Sequence, residues 1–102
     1  MCLDDINNKD IIKKLKIKNY HTYGTDNNSQ FCIKNILQSK DYSKFNVKIN
    51  IPGKKNFVIK NIKIPLLGLH NIRNATAALA VAFTIGISAN IIKKALNEFK
   101  GV

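Results

Sequence analysis

The sequence predicts an α/β fold, and three observations carry that expectation. A strand–helix–strand pattern fills the first quarter. A stretch of period-two alternation occupies the middle. Two segments with apolar residues at helical spacing close the chain. The expected arrangement is a βαβ piece, then a small antiparallel meander, then two C-terminal helices.

"MCLDD" is too short for a whole strand and reads as the end of one. In "NNKDIIKKLK", Asn7 or Asn8 is placed to cap a helix, with Asp10 in its first turn and lysines in its last. Ile11, Ile12 and Leu15 give that helix one apolar stripe. "NYHTYG" reads as a short strand ended by Gly24, and together these segments make the βαβ pattern of a parallel sheet.

"TDNNSQ" is a turn, and "FCIKNILQ" a weaker strand. "KFNVKINI" alternates cleanly, placing Phe45, Val47, Ile49 and Ile51 on one face of a half-buried antiparallel strand. "PGKK" is the next turn. In "NFVIKNIKI" the apolar residues slip phase, from Phe57 and Ile59 to Ile62 and Ile64. A bulge or break is therefore expected at Lys60–Asn61.

The first closing helix is expected from near Asn71 to Ile85, with Ile72, Ala75, Thr76, Leu79, Ala82 and Phe83 at helical spacing and Gly86 as its C-terminal glycine. Ser88 then caps a second helix that carries Ile91, Ile92, Ala95, Leu96 and Phe99 inward and stops at Gly101. A parallel sheet needs more than two strands and helices on both faces, so the chain reads as a piece of a larger α/β domain.

Composition narrows the function classes. The hydrophobic fraction is 45%, enough for a core, and with no Trp that core is expected to be mostly Ile, Leu, Val and Ala. The net charge is +11, which admits a basic binding module for nucleic acid or a protein partner. Of the 17 basic residues, however, only Arg73 is arginine, and the lysines are spread along the chain. Base readout and bidentate phosphate recognition favour Arg. Cys2 and Cys32 match no metal or redox spacing. The start is polar rather than basic and apolar, and the longest nearly apolar run, 75–87, is too short for a bilayer. A cytoplasmic protein with reduced thiols is expected.

Familiar catalytic signatures are missing. "PGKK" does not make a phosphate loop, because Lys48 stands where the loop needs glycine and Lys55 where it needs Ser or Thr. Neither His21 nor His70 has a second ligand at metal spacing. Asp4 and Asp5 lie at the end of a possible strand, where α/β sheets place ligands; equally, they solvate a turn and favour the next helix.

"GLHNIRNATAA" is the densest polar cluster. His70 and Asn74, four apart, share one face of a helix start. An Asn amide both donates and accepts, so it can hold the N6 and N7 edge of adenine while a neighbouring ring packs beside the base. The other reading is local: Asn71 caps the helix and His70 hydrogen-bonds nearby.

At these residues the sequence resembles the Mur ligases, whose pattern Gly-x-His-Asn-x-x-Asn-Ala-x-x-Ala-x-Ala is matched by Gly68, His70, Asn71, Asn74, Ala75, Ala78 and Ala80. Gly86–Ile87, Ile91, Ala95–Leu96, Phe99 and Gly101–Val102 continue the match downstream. "CLDD" and "YHTYGT" extend it upstream, and "CLDD" favours the alanine-adding branch. The resemblance implies residues 1–102 are the C-terminal part of a central ATP-binding domain, without the UDP-sugar domain or the Rossmann-like C-terminal domain. Such ligases join an amino acid to the carboxylate of the sugar through an acyl-phosphate, using ATP and Mg²⁺; for this branch the substrates are L-alanine and UDP-N-acetylmuramate. By the same resemblance, Asn74 hydrogen-bonds adenine and His70 lines that pocket, while no catalytic residue and no metal ligand is carried over. The phosphate loop and the magnesium ligands lie upstream in the family, so this chain alone is expected to be inactive. It reads as a fragment that pairs with complementary ligase pieces or with itself.

Overall fold

The computed structural model describes residues 2–5 and 21–99. The helix expected around Asn7–Lys16 and the stop at Gly101 lie outside the described residues.

Four strands form one sheet in the order β1 (Tyr23–Gly24), β2 (Phe31–Gln38), β3 (Ser43–Ile49) and β4 (Phe57–Ile64). Helices α1 (Leu69–Thr84) and α2 (Ala89–Leu96) follow and pack on one face of it. Strands β2, β3 and β4 are the expected antiparallel meander. The parallel element of the first segment is present as a bridge between Cys2 and Tyr23, with Leu3 N–H donating to Tyr23 O at 2.8 Å. A second parallel pairing, β1 with β2, was not expected. Parallel neighbours normally need a crossover of about a dozen residues or more. Here the short loop 25–30 is closed by mutual bonds between its ends: Gln30 N–H donates to Thr22 Oγ1 at 2.9 Å, Thr22 N–H to Gln30 Oε1 at 3.2 Å and Phe31 N–H to Thr22 O at 2.9 Å.

The alternation of β3 is observed, with Phe45, Val47 and Ile49 buried and Lys44 and Lys48 exposed. Lys54 N–H closes the "PGKK" turn on Ile51 O at 3.0 Å, with Gly53 at φ 80°. The phase slip in β4 is a bulge: residues 60 and 61 stand opposite one residue of β3, and Asn61 has φ 57°. β2 carries a second bulge at residues 35 and 36, with Asn35 at φ 55°. The β4 bulge stands opposite Asn46 and the β2 bulge opposite the adjacent Phe45, and the Asn46 side chain reaches both. Its Oδ1 accepts from Asn61 N–H at 2.9 Å, and its Nδ2 donates to Asn35 Oδ1 at 3.1 Å. One side chain thus ties two irregularities across three strands.

The core joins Phe31, Ile33, Phe45, Val47, Ile49, Ile59, Ile62 and Ile64 of the sheet to Ile72, Ala75, Leu79 and Ala80 of α1 and to Ile92 and Leu96 of α2. It is mainly aliphatic, as expected, but Phe31 and Phe45 sit at its centre. Helix α1 begins earlier than expected. Its N-cap is Gly68, at φ 97°, and Asn71 is inside the first turn rather than capping it; Asn71 Nδ2 donates to Leu67 O at 2.9 Å. Gly86, at φ 94°, ends the helix in a Schellman arrangement, with Gly86 N–H on Phe83 O and Ile87 N–H on Ala82 O. Ser88 Oγ accepts from Ile91 N–H as the cap of α2. Two inward assignments on α2 do not hold: Ile91 is 61% exposed and Ala95 is also exposed, because only the Ile92–Leu96 line meets the sheet in so short a helix.

Candidate functional site

The site begins at Asp4, where the chain leaves its bridge with Tyr23. Gly24 stands directly against the carboxylate: its φ is +141°, and a Cβ there would lie 2.7 Å from Asp4 Oδ1. A side chain at 24 is thus excluded twice, by backbone conformation and by space. With it absent, Asp4 reaches the turn that follows. Its oxygens accept from Thr25 N–H at 2.9 and 3.0 Å, from Thr25 Oγ1–H at 3.0 Å and from Asp26 N–H at 3.0 Å. Arg73 Nε–H completes the set at 2.9 Å from Oδ2, across 69 positions of sequence. The Asp4 side chain is only 8% exposed. Burial by itself raises its pKa, but the N–H groups of Thr25 and Asp26, the Thr25 hydroxyl and the Arg73 guanidinium together outweigh it, holding the carboxyl below its ordinary value.

Arg73 belongs to the first turns of α1, and residues three and four apart share a helix face. His70, Arg73 and Asn74 therefore point to one side. The structure brings the two sequence-predicted site residues together: Asn74 Nδ2 lies 3.2 Å from His70 Nε2. The two nitrogens are within hydrogen-bond distance, with the amide Nδ2 as the donor. Held this way, Asn74 has a second amide hydrogen and Oδ1 to offer, and Oδ1 has no partner among the described residues.

These groups line a polar cleft of about 370 Å³, shared by Cys2, Asp4, Asp5, Tyr23, His70, Arg73 and Asn74. The volume is within the range of small-molecule sites, about 300–1,000 Å³. Burial, then the neighbouring Cys2, push the Tyr23 phenol up, against a smaller opposing effect of Arg73, so the ring enters the cleft as a neutral donor. No group of three His, Cys, Asp or Glu among the described residues is arranged to hold a metal. The cleft can present paired donors and acceptors to a planar polar ring.

Sequence reasoning singled out His70 and Asn74 but missed the joint beside them. "CLDD", "TYGT" and Arg73 were each visible. Their convergence was not, because nothing local in the sequence pairs Asp4 with a residue in the last third of the chain.

Comparisons with known proteins bear on the same region. The Mur ligase middle domain matches residues 1–82. The UDP-N-acetylmuramate–L-alanine ligase of Pelagibacter ubique (strain HTCC1062) is 69% identical over 102 residues, covering 100% of this chain and 22% of that protein. The same ligase from Brucella ovis (strain ATCC 25840 / 63/290 / NCTC 10512) is 34% identical over the same span. Among solved structures, MurF from Acinetobacter baumannii superposes with a TM-score of 0.74 at 24% identity, covering 100% of this chain and 21% of that one; this likeness speaks for the fold. The chain spans about a fifth of the length of the curated relatives it matches. The stand-alone basic module suggested by charge alone finds no support in these kinships. No helix among the described residues is long and apolar enough to cross a membrane. The meander, most of α1 and the polar cleft fall within the matched residues 1–82, and the chain belongs to the Mur ligase middle-domain family.

Proposed function

We propose that this chain forms the adenine end of the ATP site of a cytoplasmic ligase that joins L-alanine to UDP-N-acetylmuramate in peptidoglycan synthesis, and that it does not catalyse ligation by itself. The observation that carries the reading is the His70–Asn74 pair, 3.2 Å apart at the mouth of α1 in a polar cleft. With one amide hydrogen on His70, Asn74 keeps a donor for purine N7 and an acceptor for the N6 amino group. His70 orients that amide and lines the pocket.

ATP, when bound, supplies the phosphoryl group that activates the sugar carboxylate. The residues at hand fit only its base. Asp4 is already held by four donors, and "PGKK" is a hairpin turn rather than a phosphate loop. No metal group is available among the described residues. The Mg²⁺ and phosphate contacts of the family therefore have no counterpart to assign here, and in-line phosphoryl transfer depends on both.

The test is titration of the ¹⁵N-labelled chain with adenosine and with ATP, with Asn74→Ala as control. Expected are weak, similar affinities for both ligands, no dependence on Mg²⁺, shifts centred on residues 70–74, and loss of binding in Asn74→Ala. Tight Mg²⁺-dependent ATP binding would overturn the partial-site reading. Shifts that avoid α1 would overturn the adenine assignment.

A further inference from the structure

We propose that Asp4 is a positioning residue whose carboxylate, through Arg73, sets where the first turns of α1 sit and thereby holds His70 and Asn74 in place for a base. The proposal rests on the adenine reading above, and it concerns residues that touch the pair's helix rather than the pair itself.

Three independent features converge on Asp4. The first is its hydrogen-bond set: two backbone N–H groups, one hydroxyl and one guanidinium, all at 2.9–3.0 Å, bind a side chain that is 8% exposed. Bonds to an ionised acceptor are roughly twice as strong as neutral ones, and each loses strength if its partner moves. The second is Gly24, which lacks the side chain that would occupy the place of the carboxylate. The third is topology. Asp4 follows the Cys2–Tyr23 bridge, Thr25 and Asp26 open the loop into β2, and Arg73 is one residue before Asn74 and three after His70. A single carboxylate therefore joins the end of one strand, the turn after another and the start of the helix that carries the pair.

No side chain caps the first turn of α1, and its cap residue is a glycine. Ile72 and Ala75, fully buried, seat the inner side of these turns on the sheet, and polar contacts grip the start of the helix from its flanks. Gln38 Oε1 accepts from Gly68 N–H at 3.1 Å on one flank, and the Asp4–Arg73 pair grips the other. Of the two, only the ion pair lines the cleft with His70 and Asn74. Releasing it frees Arg73 and lets the first turns shift relative to Tyr23 and Cys2 across the cleft.

The experiment compares Arg73→Met, Arg73→Lys and Asp4→Asn with the unaltered 102-residue chain, all measured well below their melting temperatures. Adenosine affinity is read by NMR, and the side-chain amide resonances of Asn74 are followed without ligand. Arg73 is 35% exposed, so Arg73→Met removes the contact without emptying the core. Expected are a loss of about five- to tenfold in adenosine affinity in Arg73→Met, partial recovery in Arg73→Lys, and displaced Asn74 side-chain resonances in Arg73→Met and Asp4→Asn while the amides of β3 stay in place. A merely structural pair would lower the melting temperature and move neither readout; unchanged affinity with unchanged Asn74 resonances overturns the proposal. If the unaltered chain does not bind adenosine at all, the adenine reading fails. The joint is then decided by the Asn74 resonances alone: displacement upholds it, constancy overturns it.

Discussion

Asp4 shows how one residue acquires a role through partners that its neighbours in sequence do not reveal. Adjacent aspartates at a strand end were expected either to meet a ligand or to solvate a turn. Asp4 instead closes a joint, with Arg73 as its distant member. Its lowered pKa has a consequence for stability. The fold favours the charged form, so the stabilisation from Asp4 is fully present above the ordinary carboxyl value of 3.8 and is lost as pH falls through the lower value in the folded chain. Urea unfolding is therefore expected to show a stability gap between the unaltered chain and Asp4→Asn that is constant from neutrality to about pH 5 and narrows on further acidification. Parallel profiles down to the acid limit would show that the carboxylate is not selectively held. Asn71 teaches a related lesson. A helix start rich in Asn was expected to use it as a cap, yet Gly68 at φ 97° takes that position and leaves Asn71 bonded to Leu67 O.

At the scale of elements, legibility followed periodicity. β3 was readable because Phe45, Val47 and Ile49 alternate with polar residues, and the β4 bulge because its apolar phase visibly slips. The bulge in β2 left no such mark: Phe31, Cys32 and Ile33 are all buried, so there was no alternation to break. α2 was legible as an element but not in orientation, since a helix of eight residues buries a single Ile92–Leu96 line. The two bulges depend on Asn46, which donates to one and accepts from the other. Asn46→Ala removes both bonds from a half-buried position and is expected to cost about 1–3 kcal/mol. Asn46→Asp keeps the acceptor for Asn61 N–H but loses the donor to Asn35, so its cost should be smaller. Urea unfolding ranks the two variants, and amide exchange at Asn61 reports the bulge directly. Equal stability of all three chains would show that the bulges are set by backbone conformation alone, through Asn35 and Asn61 at positive φ.

For the whole molecule, the decisive quantity is apolar surface left in water. Toward the end of α1, Val81 is 65% exposed and the following cap residue Ile85 71%, and with Ala77 they border an apolar hollow of about 290 Å³ that reaches Tyr23. Between the helices, Ile87 and Ile91, 37% and 61% exposed, border a second of about 220 Å³. Contiguous apolar surface of this kind drives association in solution. The net charge of +11 opposes it by mutual repulsion. The two forces respond to salt in opposite directions, which gives the prediction its sign. Salt screens the charge and leaves apolar contact intact or stronger, so self-association is expected to grow with ionic strength; binding of a polyanion by the same lysines would weaken instead. Sedimentation velocity across a concentration series at low and high salt measures this. Val81→Lys combined with Ile85→Lys should shift the chain toward a single 11.5 kDa species while changing stability by no more than about 0.5 kcal/mol per site, because both side chains are largely exposed to solvent. A single 11.5 kDa species for the unaltered chain at high salt would show that these faces are too small or too divided to hold a second surface.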